Sequence, residues 1–230
     1  MSKKFPIIYE IILFMIAAIL AGFLMYIVKL FLRDDTLSSS AARILAGLIL
    51  MLIYRKKFKL SNAFSGFYIM LPALLLAIYK IPYHFISGGG DIGKITLSVL
   101  LAGLAPAVFE EILFRGIFIH NLKQRYQQPV TIVIISAIVF SFLHLTNMSA
   151  MDTSSMIVQL IMAFVVGVVL GAVYLRTEDI ISVIIVHFSI DFIGDIFRGG
   201  TTTPAYFLII MIILMLFEII YGLNLLRKSD

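Results

Sequence analysis

The sequence predicts an all-α fold, namely a polytopic membrane helix bundle of about eight transmembrane helices around a polar intramembrane cavity. Of the 230 residues, 61% are hydrophobic and 13% are charged, which is about half the charged fraction of an ordinary soluble domain. The mean hydropathy is +1.07. The apolar residues also fall into eight segments near the length of about 20 residues that a helix needs to cross the hydrocarbon core.

This composition excludes several broad classes of protein. A soluble enzyme, a disordered chain or a nucleic-acid binder would carry far more charge on its surface. The net charge is +5. In a membrane protein, a basic excess usually reflects the lysines and arginines of cytoplasmic loops and therefore indicates the orientation of the chain. The chain contains no cysteine, so disulfides, thiolate metal sites and a cysteine nucleophile are excluded. The lipid bilayer is the first predicted partner, and no nucleic acid is expected.

The predicted spans follow one another along the whole chain. They are 7–32, 38–54, 64–86, 94–122, 130–148, 155–175, 179–197 and 204–226. The first is too long for the apolar region of a cleavable signal peptide, which has about 7–15 residues. The second is short and carries Arg43 near its start, the third is interrupted by Pro72 and Pro82, and the fourth contains Pro106 as an expected kink.

Two glycine-containing stretches, 87–91 and 198–203, are predicted connectors between spans. No internal repeat and no second domain are visible in the sequence. We therefore expect 1–230 to form one transmembrane domain.

Lysine and arginine predict the orientation, because cytoplasmic loop ends are enriched in both. With the N-terminus inside, the cytoplasmic ends hold Lys3, Lys4, Arg55, Lys56, Lys57, Lys59, Lys123, Arg125, Arg176, Arg227 and Lys228. The outer ends hold only Arg33, Arg43, Lys94 and Arg198. This bias predicts a multi-pass protein of the cell membrane with both termini in the cytoplasm.

Ionisable side chains inside the spans are the candidates for function, because placing them at mid-bilayer is costly. The deepest in the predicted spans are Glu110, Glu111, Arg115, His144, His187 and Asp191. Four others lie nearer to span ends, where we expect them to reach the interface. These four are Glu10, Lys29, Asp195 and Glu218.

The fourth span carries two adjacent acids and an arginine. Glu111 and Arg115 are four residues apart, so on a helix they share a face and can form an ion pair. Glu110 is rotated by about 100° from Glu111 and is free to point elsewhere. A network of Glu, Glu and Arg that only holds helices together would produce the same pattern, so that alternative stays open here.

The fifth and seventh spans carry histidines. His144 follows Phe140 by four residues, and His187 precedes Asp191 by four, which places the imidazole and the carboxyl on one helix face. Glu110, His144 and His187 lie roughly 18, 21 and 12 Å from the inner ends of their spans. Three helices thus bring titratable groups to similar depth, and we expect these groups to converge in the bundle interior.

The chemistry open to one glutamate and two histidines is narrow. A carboxylate in an apolar cavity suits a general base on water, and a nearby histidine can orient that water. A second histidine beside an aspartate can polarise a carbonyl and stabilise an oxyanion. Glu110, His144 and His187 could instead be zinc ligands with an open coordination position. The sequence also lacks the H-E-x-x-H motif of zinc metalloproteases.

The arrangement E-E-x-x-x-R, F-x-x-x-H and H-x-x-x-D on three hydrophobic segments resembles the CAAX protease and bacteriocin-processing family, also called CPBP or Abi, which is related to type II CAAX prenyl endopeptidases. The three motifs are Glu110 and Glu111 with Arg115, Phe140 with His144, and His187 with Asp191. The resemblance covers 94–197, the expected catalytic core. It implies an intramembrane glutamic endopeptidase of eight helices around a water-accessible cavity.

The resemblance also implies roles for the residues. Glu110 and His144 would activate the hydrolytic water, and His187 and Asp191 would stabilise the oxyanion. Glu111 and Arg115 would shape the site together with Phe140, and no metal would be needed. Asp191 stands where the eukaryotic branch has asparagine, and because an ionised carboxylate cannot donate a hydrogen bond, it is expected to orient His187.

The resemblance further implies a peptide or membrane-protein substrate and a role in bacteriocin self-immunity or peptide processing. Two other functions stay open at this point. The first is a non-catalytic membrane immunity or scaffold protein that retains the fold. The second is a small-solute transporter, which the absence of an internal repeat disfavours.

Overall fold

The computed structural model describes residues 6–59, 62–82, 95–197 and 205–227, and within these ranges the chain is helical without a strand. Eight helices follow in order: α1 (Pro6–Lys29), α2 (Asp35–Ile53), α3 (Phe67–Pro82), α4 (Leu97–Lys123), α5 (Pro129–Leu143), α6 (Thr153–Thr177), α7 (Ile180–Ile196) and α8 (Ala205–Arg227). The all-helical prediction is confirmed. The predicted connectors 87–91 and 198–203 lie outside the described residues.

Six of these helices are long and apolar enough to cross a membrane, and the chain is a multi-pass membrane protein. The six are α1, α2, α4, α6, α8, and α5 extended by a 3-10 turn to Ser149. The other two are shorter. α7 has 17 residues, and α3 is interrupted by a 3-10 segment at Leu71–Leu74, which contains Pro72. Proline removes a backbone donor, which explains the break in α3.

Several helices begin where the sequence provides an N-cap. The side chains of Asp34, Asp152 and Asp179 accept hydrogen bonds from the backbone N–H groups three residues on, at the starts of α2, α6 and α7. Thr96 does the same for α4. Such a cap satisfies one of the free N–H groups of the first helical turn. Asp179 is also fully buried and accepts from the backbone N–H of Gly66, so this cap fixes the chain before α3.

Glycines set the closest helix contacts. A Cβ added at each of four glycines would lie 3.0–3.4 Å from the backbone of a neighbouring helix: Gly47 of α2 against Phe109 of α4, Gly103 of α4 against Phe192 of α7, Gly167 of α6 against Ala137 of α5, and Gly222 of α8 against Val169 of α6. Small residues allow helix backbones to approach in this way in membranes. With α1 packed on α2, the helices other than α3 form two groups, α1–α2–α4–α7 and α5–α6–α8.

α4 lies at the centre and joins the two groups. Its residues Ile112–Ile119 are all buried and adopt a π-helical conformation between the α-helical segments Leu97–Glu111 and His120–Lys123. A helix that is apolar and buried on all sides belongs to the interior of a bundle. π-helical turns are rare and occur frequently at functional sites. This one begins directly after Glu111.

One end of the bundle, where α2, α4, α6 and α8 terminate, is here called the basic end. A cluster of four polar side chains lies there, the basic-end cluster, formed by Glu10, Lys57, Asn121 and Arg125. Glu10 accepts from Arg125 Nη2 at 2.9 Å and from Asn121 Nδ2 at 3.3 Å, while Asn121 Oδ1 accepts from Lys57 Nζ at 2.5 Å. Burial lowers the pKa of Lys57, and the charge of Glu10 opposes this.

Glu178 joins two further loops at the basic end. It lies between α6 and α7 with a positive φ of 54°, and its carboxylate pairs with Lys59 and with Lys123, the latter at 2.8 Å. Hydrogen bonds from Lys123 and Lys59 lower the pKa of Glu178. Basic residues from separate loops thus meet on one end of the molecule.

Two of the interfacial expectations are wrong. Glu10 is 6% exposed within the basic-end cluster, and Glu218 is fully buried in α8. Both Glu218 oxygens lack a hydrogen-bond partner within the described part of the chain. Lys29, by contrast, pairs with the exposed Asp35 at 2.8 Å. Packing against neighbouring helices, rather than distance from the helix end, decides which of these groups reach water or headgroups.

Candidate active site

The ion pair predicted within α4 is present. Arg115 Nη1 donates to Glu111 Oε1 at 2.7 Å, and both side chains are at most 1% exposed. The pair survives the change to π-helical geometry after Glu111, because a separation of four residues still brings the two side chains close together. Burial of an arginine is costly unless a carboxylate compensates it, so each side chain requires the other.

The same oxygen of Glu111 also contacts α7. His187 Nδ1 lies 2.6 Å from Glu111 Oε1, while His187 Nε2 lies 3.5 Å from Asp191 Oδ2. The sequence predicted only the second of these contacts. Because an ionised carboxylate only accepts, Nδ1 carries the proton of the short bond. Glu111 therefore holds the imidazole in a fixed orientation and joins α4 to α7.

Phe140 lies at the centre of the predicted residues. The guanidinium carbon of Arg115 is 4.6 Å from its ring centroid. The rings of His144 and His187 are 5.1 and 5.9 Å away and meet it edge-on. A cation over a ring face and edge-to-face ring contacts are both favourable. Phe140 thus separates the two histidines and fixes their spacing.

His144 lies where the α-helical part of α5 ends. The predicted span 130–148 is α-helical to Leu143, and His144–Ala150 form a 3-10 segment. His144 Nδ1 lies 3.0 Å from the carbonyl oxygen of Phe140. A carbonyl accepts, so Nδ1 carries a proton, and in the neutral ring Nε2 is then the acceptor. An acceptor at Nε2 can take a hydrogen bond from water.

A pocket of about 1080 Å³ brings the predicted catalytic residues together. Glu110, His144, His187 and Asp191 all line it, together with Phe140. Glu110 is half-buried, and its Oε2 is buried without a hydrogen-bond partner among the described residues. The expectation that Glu110 and Glu111 point in different directions is confirmed, since Glu111 is fully enclosed by its contacts to Arg115 and His187.

Residues 92–193 match a protein family described as Rce1-like: type II CAAX prenyl endopeptidase Rce1-like. This segment is therefore similar to the Rce1-like family. It contains all three motifs and every predicted site residue, and the family is one of proteases. No curated protein matches the chain. No solved structure matches it either.

The Rce1-like segment does not form the whole pocket. Arg43 of α2 and Lys80 of α3 line it as well. The sequence placed Arg43 at an outer loop end and did not connect either residue with the site. For Arg43, the sequence showed only a cation near the start of a predicted span. Such a cation can be connected with a site only when the helix that packs against it is known.

The zinc alternative concerns Glu110, His144 and His187. Over 6–59, 62–82, 95–197 and 205–227, no three His, Asp or Glu side chains are grouped closely enough to hold a metal ion. A further titratable group of the pocket, Asp191, contacts His187 only at the long limit of a hydrogen bond.

Proposed function

We propose that the chain is an intramembrane glutamic endopeptidase that hydrolyses a peptide bond of a peptide or membrane-protein substrate. One observation carries the proposal. Glu110, whose buried Oε2 has no hydrogen-bond partner among the described residues, lines the same pocket as His144, His187 and Asp191, and all four lie in the Rce1-like segment. Hydrolysis requires a base for water and donors for the oxyanion, and this pocket offers both.

In this mechanism Glu110 and His144 bind the attacking water. Glu110 takes its proton as the water oxygen attacks the scissile carbonyl carbon, and Nε2 of His144 accepts the second hydrogen bond. His187, with both ring nitrogens protonated, keeps its Nδ1 bond to Glu111 and donates from Nε2 to the carbonyl oxygen as negative charge develops, and the nearby carboxylate of Asp191 favours this imidazolium form. Glu110 returns the proton to the leaving amine. Glu111 acts as a positioning residue, because its short bond to His187 Nδ1 holds the ring.

The fold proposal is a bundle of eight transmembrane helices that encloses this pocket within the bilayer, with residues 94–197 as the catalytic core. Six helices meet the length requirement, and α7, with 17 residues, is at the short end of the range that can span. Lys59 and Lys123 meet at Glu178 on the basic end. This meeting of alternate loops supports an orientation with both termini in the cytoplasm.

The biological role that we propose is bacteriocin self-immunity or processing of a peptide. It rests on the resemblance of the three motifs to the bacteriocin-processing family. No metal is part of the mechanism. Elemental analysis of active protein, with a chelator control, tests this point, and stoichiometric zinc with chelator-sensitive activity would contradict it.

The non-catalytic scaffold is the second candidate. The buried contacts of Glu111 with Arg115 and His187 favour it, because they join α4 and α7 without any need for catalysis. The two candidates differ at Glu110, whose exchange for glutamine preserves shape and hydrogen bonding but removes the base.

The test is cleavage of a peptide library by purified protein in liposomes, with Glu110→Gln and His144→Ala beside the unchanged chain. We expect both variants to remain folded and to lose cleavage. Full activity of both folded variants would refute the protease proposal. Immunity that persists in Glu110→Gln, without any cleavage by the unchanged chain, would favour the scaffold.

A further inference from the structure

A second pocket lies at the basic end, remote from Glu110. Its volume is about 380 Å³. It is formed by the loop that follows α4, the first turn of α5, and the last turns of α6 and α8. None of the predicted site residues lines it, so it has no part in the mechanism above.

The polar side of this pocket is cationic. Lys123 and Arg176 line it. Lys123 shares the single carboxylate of Glu178 with Lys59, so two ammonium groups face one negative charge. Arg176 uses Nη1 to donate to the carbonyl oxygen of Leu225 at 3.1 Å and forms no ion pair within the described residues. Its remaining N–H groups can donate to an anion.

The other side of the pocket is apolar. Ile132, Leu175 and Leu226 line it, with the exposed ring of Tyr126 beside them. The pocket lies where the apolar spans 153–177 and 205–227 end, which is the level of lipid headgroups. A water-soluble phosphate would contact only the cationic side of the pocket, whereas a phospholipid would contact the cationic side with its phosphate and the apolar side with its acyl chain.

We propose that this pocket binds the headgroup of an anionic phospholipid, with its phosphate on Lys123 and Arg176 and its glycerol and upper acyl chain on the apolar side. Basic pockets between transmembrane helices on the cytoplasmic side are known to hold acidic headgroups. The proposal is independent of the protease function, because it uses neither Glu110 nor its pocket.

Two neighbouring glutamines provide a matched test. Gln127 lines the pocket and Gln128 does not, although both are exposed and lie in the same loop. Gln127→Glu therefore adds a negative charge beside the phosphate, while Gln128→Glu adds the same charge outside. The side chain of Gln128, the N-cap residue, makes no capping hydrogen bond to α5, and Gln127 is exposed in the preceding loop, so both variants are expected to fold.

The measurement is native mass spectrometry of the purified full chain titrated with dioleoylphosphatidylglycerol, dioleoylphosphatidylcholine or glycerol 3-phosphate. We expect phosphatidylglycerol to bind at least tenfold more tightly than phosphatidylcholine. Gln127→Glu should weaken it about fivefold, and Gln128→Glu less than twofold. Arg176→Gln should weaken it as well, whereas Arg227→Gln, which removes a cation outside the pocket, should not.

Three results would overturn the proposal. Equal affinity for phosphatidylglycerol and phosphatidylcholine would show that the pocket does not distinguish an anionic headgroup from a zwitterionic one. Equal loss in Gln127→Glu and Gln128→Glu would show that the surface charge of the basic end, and not the pocket, attracts the lipid. Binding of glycerol 3-phosphate as tightly as phosphatidylglycerol would make the occupant a soluble phosphate.

Discussion

Two polar clusters on α4 differ in how completely their hydrogen bonds are satisfied. In the basic-end cluster, Glu10 receives hydrogen bonds from both Asn121 and Arg125, and Asn121 receives one from Lys57. The second cluster, formed by Glu110, Glu111 and Arg115 beside the larger pocket, is here called the pocket cluster, and each of its side chains has a buried polar atom without a partner among the described residues. Both clusters contain a buried carboxylate beside an arginine, so composition alone does not distinguish them.

Under the proposed function, this difference separates a structural cluster from the candidate site. An unsatisfied buried polar atom costs about 1–3 kcal/mol, and a cluster that only holds helices together gains nothing from it. The basic-end cluster is closed and joins α1, the end of α2 and the end of α4. The pocket cluster is open on the side of Glu110, where water and substrate must bind for the proposed hydrolysis.

The largest expected effect is on catalysis. Glu110→Gln should lower the rate of peptide cleavage by about 10²–10⁴-fold, which is the contribution of a general base, without a large loss of stability. The matched change in the other cluster, Glu10→Gln, should lower stability but leave the cleavage rate of the folded fraction within about twofold. Rates and thermal unfolding of both proteins in liposomes test this contrast. Loss of cleavage in well-folded Glu10→Gln would remove the distinction between the clusters.

The next effect is on stability. Arg115→Met should leave the buried carboxylate of Glu111 with His187 as its one remaining partner among the described residues and lower the free energy of unfolding by about 3–5 kcal/mol. Arg125→Met removes a cation whose side chain is 20% exposed, so its cost should be about 1 kcal/mol. Unfolding in mixed detergent and SDS micelles measures both. Equal losses would show that burial does not separate the two arginines.

A smaller loss of stability is expected when the side-chain amide of Asn121, at the centre of the basic-end cluster, is removed. Asn121→Ala should cost about 1–3 kcal/mol, because Glu10 loses a donor and Lys57 loses its acceptor. Asn224→Ala, at an exposed position on α8, is the control and should change stability by less than about 0.5 kcal/mol. An unchanged free energy of unfolding in Asn121→Ala would mean that the closed network contributes nothing.

The smallest effect concerns Glu178. Because Lys123 and Lys59 lower its pKa below the usual value of 4.5 in the folded state, its pairs stabilise the protein above that value. The stabilisation is lost as pH falls through the lowered pKa. Glu178→Gln should therefore cost about 1 kcal/mol or less at pH 7, and the two proteins should converge at strongly acidic pH. Melting curves between pH 3 and 7 would contradict this if the difference grew on acidification.

The sequence by itself determined the helical membrane fold and the pairing of Glu111 with Arg115. Hydropathy reports burial in lipid directly, and two residues four apart meet on any helix without help from the rest of the chain. The three motifs also identified the helices whose side chains meet in the candidate site. These features depend on composition or on residues close together in the sequence, and both can be determined from a single sequence.

Only the tertiary structure decided the contact of Glu111 with His187, the burial of Glu10 and Glu218, and the access of Glu110 to the pocket. The first joins residues 76 positions apart, and all of them depend on the rotation of one helix against another. That rotation is set by close packing at positions such as Gly47 and Gly103. Periodicity within one helix contains no information about it.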